Sequence, residues 1–514
     1  MTIPEREQFF TYAQDHPRVP LAKEVLADLV TPIAILRQLA LCSTRYFLLE
    51  SVEGGERWGR YSFLGFDPIV RAYCDSGVVT ILDYQTAGSK SAATDSGQQL
   101  IRTRTVLTDK PFEALRDLLT AYRAPVVEEL PIFAGGLVGY SAYAMYEYSE
   151  PTVRVGRGGA HDFDWMLFDK VIAYDHLKQK MVLIVNADTA SQTPDQAYLS
   201  ARQQLTELES FVFGSSTGMD PTPSEPVTRK SSTSFVSAQT FAEYEKMIER
   251  AKRHILNGEI FQVVLSRRFT KTSRINMVDA YRVLRSTNPS PYMVYLRIED
   301  DTIISTSPET LVKLRQGRLT TVPVAGSRPR GGTAEEDREL EVDLLADEKE
   351  LAEHNMLVDL GRNDLGRIAR PGSVEVTAYK EIHRYSKVMH ICSQVEADLA
   401  KGRDAFDALE AVQPAGTLSG APKIRACQII EELENRPRGI YGGALGYISL
   451  SGQLDCCIAI RMAHQRGTKI SVQAGAGIVL DSRPAAEFAE TEQKASAVIA
   501  AIEAVEGKDD DYID

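Results

Sequence analysis

The stretch GGALGYISLSGQLDCCIAIRMAHQ, residues 442–465, has apolar and small residues on both sides of a central Ser-Gly, and predicts strands joined by a hairpin-like turn. Strands are also predicted for RYFLLESV, KVIAYDHLKQKMVLIVN, PYMVYLRIEDDTIISTSP and TKISVQAGAGIVL. Helical segments interrupt these strands at long intervals, and no repeat of about 20 to 50 residues occurs. The pattern predicts an α+β fold of largely antiparallel β-sheets, packed together and covered by helices, rather than a regular βαβ winding.

The composition is that of a large globular protein. Of 514 residues, 43% are hydrophobic and 25% are charged, and the formal net charge is −13. Because nucleic-acid binding needs a basic face, this charge argues against nucleic acid as a partner. No apolar run is long enough to span a membrane, and the start MTIPEREQFF lacks the features of a secretory signal. We therefore expect a cytoplasmic protein without membrane contact.

A segment rich in Gly, Pro, Ser and Thr, residues 214–234, marks the best domain boundary. A helical segment follows it, in which Thr240 and Glu243 have the spacing of a capping box and Gly258 suits the C-terminal end. We therefore expect an N-terminal domain over 1–225, a second domain over 226–508 and an acidic tail over 509–514.

The six cysteines show no CxxC pair and no histidine at metal-ligand spacing, so we expect reduced, structural thiols. Adjacent Cys456 and Cys457 should point to opposite faces of one strand.

Two predicted helices carry glutamate pairs at i, i+3. These are Glu350 with Glu353, and Glu487 with Glu490, the second helix beginning at Pro484. Brought together, two such faces would provide oxygen ligands for a hard divalent cation, with Mg²⁺ favoured if substrate oxygens fill the remaining positions. Either pair alone is more often a solvated helix face.

Other candidates for chemistry also have ordinary structural explanations. Gly475 and Gly477 interrupt a strand, which indicates either a β-bulge or a closely approaching ligand. Arg461 has apolar neighbours that predict a buried strand, so it needs an anionic partner, either an acidic side chain or a substrate carboxylate. His354 and His390 could move protons, although such histidines more often belong to the core.

Taken together, ordered motifs make the chain similar to the chorismate-utilising enzymes, and within them to the anthranilate synthases. The similarity is strong from about residue 240 to 500, and LLES and RYSFLG extend it toward the N-terminus. The motifs that carry it are GEIFQVVLSRRF, STSPET, PVAGSRPRGG, ELAEHNMLVDLGRNDLGR, RYSKVMH, TLSGAPKIRA, YGGALGY, IAIRMA, QAGAGIV and EFAETEQKA.

The resemblance implies a Mg²⁺-dependent lyase that adds ammonia to C2 of chorismate, expels the C4 hydroxyl and eliminates pyruvate to leave anthranilate, the first committed step of tryptophan biosynthesis. By this resemblance Glu353 and Glu490 hold the metal, and Glu350 and Glu487 lie in its shell through water. The metal then holds the ring carboxylate.

The resemblance also implies roles for substrate-contacting residues. The enolpyruvyl carboxylate is assigned to Arg461, Tyr441 and the backbone of Gly475, Ala476 and Gly477. Glu309 is assigned as the general acid for the C4 oxygen, His390 to the elimination step, Thr417 to the ring pocket, and Gly326 with Ser327 to substrate contact.

Two positions indicate which nucleophile is used. Relatives that make 4-amino-4-deoxychorismate carry a lysine that attacks the ring at the position of Ala325, so an alanine there favours direct attack by ammonia. Isochorismate and salicylate synthases place a water-activating lysine at the position of Gln262, and an amide has no basic lone pair for that purpose. The alternatives are those sibling activities, or a non-catalytic tryptophan-sensing partner.

No cysteine lies in a glycine-flanked nucleophile turn, so the resemblance implies a separate glutamine amidotransferase subunit, anthranilate synthase component II, in a heterotetramer. Two segments match the tryptophan-binding elements of the family and imply feedback inhibition by tryptophan. Their residues are Leu49, Glu50, Ser51, Pro291, Tyr292 and Met293, with Glu50 expected to receive the α-ammonium group.

Overall fold

The computed structural model describes residues 2–51, 59–86, 98–214, 234–385 and 388–509. Within these ranges the helices are α1 Arg6–Tyr12, α2 Pro32–Cys42, α3 Pro111–Ala121, α4 Tyr146–Ser149, α5 Pro194–Gly214, α6 Phe241–Leu256, α7 Met277–Thr287, α8 Ala334–Ala346, α9 Glu348–Gly366, α10 Ala405–Val412, α11 Lys423–Glu434 and α12 Pro484–Asp509. Short 3-10 turns occur at Tyr143–Met145 and Gly416–Leu418.

The strands before residue 215 are β1 Thr2–Ile3, β2 Arg18–Leu26, β3 Arg45–Glu50, β4 Tyr61–Phe66, β5 Val70–Asp75, β6 Val78–Thr86, β7 Gln98–Leu107, β8 Gly136–Ser141, β9 Phe163–Phe168, β10 Lys170–Asp175 and β11 Lys180–Asp188. The strands after residue 233 are β12 Val236–Ser237, β13 Gln262–Thr272, β14 Tyr292–Ile298, β15 Asp301–Ser307, β16 Thr310–Arg315, β17 Arg318–Thr321, β18 Val324–Pro329, β19 Glu375–Arg384, β20 Val388–Asp398, β21 Gly420–Ala421, β22 Ala444–Ser449, β23 Leu454–Ile458, β24 Met462–Arg466 and β25 Lys469–Ile478.

These strands form two large antiparallel sheets. Sheet A has the order β1-β2-β11-β10-β4-β3-β14-β15-β24-β25-β13-β12, with β21 also paired to β13. Sheet B has the order β18-β20-β17-β16-β23-β22-β8-β9-β5-β6-β7, with β19 also paired to β20. The expected α+β fold with antiparallel sheets is therefore confirmed.

The hydrophobic cores define four layers. Phe47 and Phe63 of sheet A pack with Met166 and Leu445 of sheet B, so the two sheets lie face to face. The other face of sheet A is covered by α2, α5, α7 and α12, and its far end by α6 and α11. The other face of sheet B is covered by α3, α9 and α10. Both sheets are thus buried on two sides.

Each sheet joins strands from before and after residues 215–233. In sheet A, β3 pairs with β14 over six residue pairs, and in sheet B, β8 pairs with β22 over six. Most of the expected boundary segment and residues 510–514 of the acidic tail lie outside the described residues. The two parts of the chain that flank 215–233 therefore share both sheets.

Several local predictions are confirmed. Thr240 and Glu243 form the capping box of α6, Gly258 has φ +75 after that helix, and α12 begins at Pro484. All six cysteines are free, and Cys456 and Cys457 face different cores. Among the described residues, no helix is long and apolar enough to cross a membrane.

Candidate active site

Two of the connections that pass between the sheets lie side by side. The chain leaves sheet A after β15 and enters sheet B at β16, with Glu309 in the connection. It returns from β23 to β24 through a connection that contains Arg461. Backbone hydrogen bonds join the two crossings, from Ile458 N to Glu309 O (3.1 Å) and from Thr306 N to Arg461 O (3.1 Å). The acid and the arginine assigned by resemblance are therefore held on neighbouring connections.

The expected strand at Arg461 is wrong. Arg461 lies in the connection with φ +48, a left-handed conformation that is uncommon outside glycine. Its apolar neighbours on the two sides belong to two different sheets, which explains why the sequence pattern resembled one buried strand.

Glu309 has a buried carboxyl group that accepts a hydrogen bond from a side-chain hydroxyl. It is 5% exposed, and Thr417 Oγ1 donates a hydrogen bond to its Oε1 at 2.7 Å. Burial raises the pKa of Glu309 to about 8, against the opposing effects of the Thr417 hydrogen bond and the positive charge of Lys494. The group is therefore mostly protonated at neutral pH, as a general acid must be.

Gln262 begins β13 and contacts a glutamate of α9. Its Nε2 donates to Glu353 Oε1 at 3.1 Å. A β-carbon at Gly477 would lie 2.3 Å from Gln262 Nε2 and 3.5 Å from Glu353 Oε1. Glycine at this position therefore gives the amide and the carboxylate room to meet.

A second cluster surrounds Gly475 on the same strand. Its backbone hydrogen-bonds to the Tyr441 hydroxyl, and its carbonyl accepts from Lys494 Nζ at 3.1 Å. Lys494 Nζ also pairs with Glu490 Oε1 at 2.6 Å. The backbone carbonyl of Lys494 accepts a hydrogen bond from Arg461 Nη1 at 3.2 Å. Among the described residues Arg461 forms no ion pair, and burial lowers its pKa. Two cationic side chains, those of Arg461 and Lys494, therefore lie near the Gly475 backbone.

The glycines of β25 do not mark a bulge. The strand pairs with β13 in continuous register through Gly475, Ala476 and Gly477. A β-carbon at Gly475 would lie 2.9 Å from the Tyr441 hydroxyl, so close approach explains this glycine as well. The Ala476 side chain packs in the core with α6 and α11, and its backbone pairs with Leu265 of β13, so the assignment of this backbone to a ligand stays a prediction.

His390 of β20 faces Gly326 of the neighbouring strand β18, at the point where the register of the two strands shifts. Its Nδ1 lies 2.9 Å from Gly326 O and 3.0 Å from Ser327 Oγ. Because a carbonyl only accepts, the contact with Gly326 assigns the proton of a neutral ring to Nδ1, and Nε2 is then the nitrogen able to take a proton. Burial lowers the pKa of His390, which favours that neutral form. Gly326 has φ +68, and a β-carbon there would lie 3.3 Å from Glu350 Oε2.

The four glutamates lie on two helices, Glu350 and Glu353 on α9 and Glu487 and Glu490 on α12. Burial, reinforced by the charge of neighbouring carboxylates, raises the pKa of Glu350 and of Glu487. Glu353 is hydrogen-bonded to Gln262, and Glu490 is paired with Lys494. Among the described residues, no three side chains of His, Cys, Asp or Glu converge closely enough to hold a metal ion. The metal site therefore stays a prediction.

His354, the other candidate histidine, is a core residue. It is fully buried on α9, with Nε2 2.6 Å from Ser393 Oγ, and burial lowers its pKa to about 4.

The two segments assigned to tryptophan come together as paired strands. Glu50 is opposite Met293 and Leu49 is opposite Val294 in the β3–β14 pair. Tyr292, at the start of β14, donates to Asp455 Oδ1 at 2.7 Å. Pro291 immediately precedes β14 and Ser51 immediately follows β3.

The expectation that Glu50 is available to an ammonium group is wrong for this structure. Its carboxylate accepts from Arg285 Nε at 2.9 Å, Tyr281 OH at 2.8 Å and Ser62 Oγ at 3.0 Å. Arg285 and Tyr281 come from α7, far along the chain from Glu50. An ammonium group would therefore have to displace the Arg285 guanidinium.

The sequence reasoning missed Lys494. This lysine contacts Glu490, the Gly475 carbonyl and, through its own carbonyl, Arg461. The available signal was its position four residues after Glu490 within the motif EFAETEQKA, because i and i+4 share a helix face.

Comparison with known proteins identifies the family of the chain. The family model for chorismate binding enzymes matches residues 77–500. Anthranilate synthase component 1 of Aquifex aeolicus (strain VF5) is 42% identical over 505 residues, covering 97% of this chain and 98% of the relative. The crystal structure of anthranilate synthase component I from Streptococcus pneumoniae TIGR4 is 34% identical, with a TM-score of 0.71 over 92% of this chain and 99% of that one.

MenF, the menaquinone-specific isochorismate synthase from Escherichia coli, shares the fold with a TM-score of 0.68 over 97% of this chain and 98% of its own. At 19% identity this likeness concerns the fold alone. The full-length relatives and the family match together show that the chain belongs to the chorismate-binding enzymes.

Proposed function

We propose that the chain is a lyase that converts chorismate and ammonia to anthranilate and pyruvate, as an anthranilate synthase does. The observation that carries the proposal is the buried, largely protonated Glu309 on a connection hydrogen-bonded to that of Arg461. An acid and a cation beside one pocket suit a dianionic substrate that must lose a ring hydroxyl. The names of full-length relatives point to the same activity.

Glu309 acts as the general acid. It gives its proton to the C4 oxygen as the C4–O bond breaks, and the bonding electron pair leaves with the oxygen as water. Thr417 donates to Oε1 and stabilises the carboxylate that forms. In the elimination step Nε2 of His390 takes the C2 proton, and the C2–H bonding pair completes the aromatic ring. The C3–O bond breaks with its electron pair on oxygen, and the enolate that leaves takes up a proton to become pyruvate.

Ammonia attacks C2 directly. Gln262 contributes an amide that is already hydrogen-bonded to Glu353, and it has no lone pair basic enough to activate water. Ala325 carries no nucleophile, although it lies in β18 next to Gly326 and Ser327. These two positions therefore disfavour isochorismate and 4-amino-4-deoxychorismate as products.

The enolpyruvyl carboxylate binds beside Gly475. Arg461, Lys494 and Tyr441 surround this backbone and supply positive charge and a hydroxyl group. Arg461 forms no ion pair among the described residues, so its guanidinium remains to pair with a substrate carboxylate.

Mg²⁺ fits the four glutamates chemically, because carboxylates are the ligands it prefers. The carboxylates of each pair also repel one another, which contributes to the raised pKa of Glu350 and of Glu487 and would be relieved by a cation. Glu353 and Glu490 would hold it, with Glu350 and Glu487 beside them. When bound, the ion supplies positive charge for the ring carboxylate. Glu490→Gln should weaken Mg²⁺ binding in calorimetric titrations with chorismate present, and equal affinity in wild type and variant would remove Glu490 from the site.

The decisive experiment is a product assay on the purified chain with chorismate, Mg²⁺ and an ammonium salt. The expected product is fluorescent anthranilate, together with an equal amount of pyruvate. Isochorismate or a non-aromatic amino product would replace the proposal by a sibling activity. No turnover at all would favour a non-catalytic role.

A glutamine amidotransferase subunit supplies ammonia in the proposed complex. The isolated chain should use ammonium salts and not glutamine, and the partner subunit should restore use of glutamine. Light scattering should then give the mass of a heterotetramer. Efficient use of glutamine by the chain alone would contradict this arrangement.

Tryptophan inhibits by binding where β3 meets β14. Support comes from the pairing of the two matching segments and from the polar cluster around Glu50. Binding there has to rearrange the Glu50–Arg285 pair, which gives tryptophan a way to favour another conformation. Linkage requires chorismate with Mg²⁺ to weaken tryptophan binding by the same factor.

A further inference from the structure

A small cavity lies against Glu309, and most of its lining residues have no role in the candidate active site. Its volume is about 30 Å³, and of its lining residues only Glu309 and Thr417 belong to that site. Three further polar groups line it, from Thr310, Thr321 and Asp364, and the other walls are mainly apolar. A cavity of this size with several polar partners has room for a buried water molecule.

Asp364 belongs to a buried ion pair that the proposed reaction leaves unused. Lys423 Nζ lies 2.8 Å from both carboxylate oxygens of Asp364 and donates to Val412 O at 3.3 Å. Asp364 is 6% exposed. A buried ion pair adds little net stability compared with apolar residues, so stability alone is a weak reason for this one.

We propose that Asp364, held by Lys423, is a positioning residue for the Glu309 acid and acts through a water molecule in the cavity that separates the two carboxyl groups. This inference rests on the proposed function, because it needs Glu309 to be the acid. The Asp364 carboxylate is an acceptor only, so it fixes one O–H bond of the water. In the proposed arrangement the other O–H bond is directed to the carboxyl group of Glu309, which is one of the residues that line the cavity.

The water matters most after Glu309 has given up its proton. The resulting carboxylate is almost completely buried, where each hydrogen bond to an anion is worth more than in water. Thr417 and the backbone N–H of Val324 supply two such donors, and the cavity water supplies a third. Loss of the water should therefore slow the acid step without weakening chorismate binding.

Several charged or titratable groups lie around Glu309, and each affects its titration. From α12 the ammonium of Lys494 favours the anion, and from α9 the charge of Glu353 disfavours it. Cys392 of β20 interacts with Glu309, and Arg461 lies on the neighbouring crossing. Across the cavity the Asp364–Lys423 pair carries no net charge. Removing one member leaves the charge of the other uncompensated.

Removing the two members of the Asp364–Lys423 pair one at a time should therefore shift the pKa of Glu309 in opposite directions. Asp364→Asn leaves the Lys423 ammonium alone, which favours the Glu309 anion and should move the basic limb of the kcat–pH profile to lower pH. Lys423→Met leaves the Asp364 carboxylate alone and should move the same limb to higher pH. The double variant should return the limb toward its wild-type position. The amide oxygen introduced by Asp364→Asn can still accept from the water, so this variant tests the charge alone and should leave KM for chorismate unchanged.

Asp164→Asn is the matched control. Asp164 forms an equally buried pair with Arg71 in sheet B, and neither residue belongs to the candidate site. This variant should have a lower melting temperature than wild type, but the basic limb of its kcat–pH profile should not move. If Asp364→Asn and Lys423→Met behave in the same way, with lower melting temperatures and unmoved limbs, the pair is structural and the proposal is overturned.

A second variant tests the water without changing any charge. Ala415 lines the cavity, and Ala415→Val should fill it, lower kcat and move the basic limb to higher pH because the Glu309 anion loses a donor. Unchanged kcat and an unmoved limb would overturn the role of the water, even if Asp364→Asn failed to fold.

Infrared titration of the Glu309 carboxyl band, assigned with Glu309→Gln, measures the same shifts without turnover. If the wild-type chain forms no anthranilate, the proposed function fails. In that case the infrared titration alone decides whether the Asp364–Lys423 pair changes the pKa of Glu309.

Discussion

Replacing Gly477 by alanine would place a methyl group at the contact between Gln262 and Glu353. The new β-carbon would lie 2.3 Å from Gln262 Nε2, so the amide must withdraw by about 1 Å to reach an ordinary contact distance. Gly477 has no positive φ, so the substitution tests this contact and adds no backbone strain.

Withdrawal breaks the 3.1 Å hydrogen bond from Gln262 to the Glu353 carboxylate. A hydrogen bond to a charged group contributes about 1.5–3 kcal/mol, so we expect kcat/KM for chorismate to fall roughly ten- to hundredfold. The assay is the initial rate of anthranilate fluorescence at saturating ammonia and Mg²⁺, with thermal melting to confirm folding.

Gly366→Ala is the matched control. A β-carbon at Gly366 would meet no atom within 4 Å, and this glycine also lacks a positive φ. We expect wild-type activity and equal or slightly higher stability. Gln262→Ala and the double variant Gln262→Ala/Gly477→Ala should be equally active, because the methyl group then has room. Wild-type kcat/KM in Gly477→Ala would refute the reasoning and remove the contact from the site.

The remaining predictions concern the acid, the nucleophile and regulation. At constant uncharged ammonia, activity should fall about tenfold per pH unit above about 8 as Glu309 ionises, and a flat profile would contradict its role. Thr417→Val should move this limb to higher pH, because the donor that favours the anion is lost, whereas Thr417→Ser should not. Gln262→Lys should lower ammonia-dependent turnover with traces of isochorismate, and an unchanged rate at limiting ammonia would exclude Gln262 from the site. Ser51→Phe should relieve tryptophan inhibition and spare uninhibited turnover, whereas inhibition equal to wild type would place the regulatory site elsewhere.

The fold class follows from local patterns that the structure preserves. Strand segments joined by hairpin-like turns pair with their neighbours, as in β10–β11 and β14–β15. The capping box at Thr240 and the start of α12 at Pro484 are likewise encoded within a few residues. Such features depend on nearby residues, so the sequence alone suffices to predict them.

The errors concern contacts between distant parts of the chain. The run of apolar residues around Arg461 indicates strands that are buried on both faces. It does not indicate that the chain changes from one sheet to the other at this point. Glu50 looked available because Arg285 lies 235 residues away in sequence. Gly475 and Gly477 indicated close approach, but the approaching groups, Tyr441 and Gln262, come from other elements.

The sharing of both sheets by the two parts of the chain has a consequence for dissecting the protein. Chains 1–214 and 234–514 made separately would each expose two unpaired sheet edges, those of β3 and β8 in one and of β14 and β22 in the other. Long exposed edges favour aggregation, so neither fragment should behave as a folded domain on its own. Produced together, the fragments offer each other two matching edges of six residue pairs each. The chain is therefore suited to fragment complementation. Recovery of anthranilate formation would show that the β3–β14 and β8–β22 pairs have both formed between the fragments.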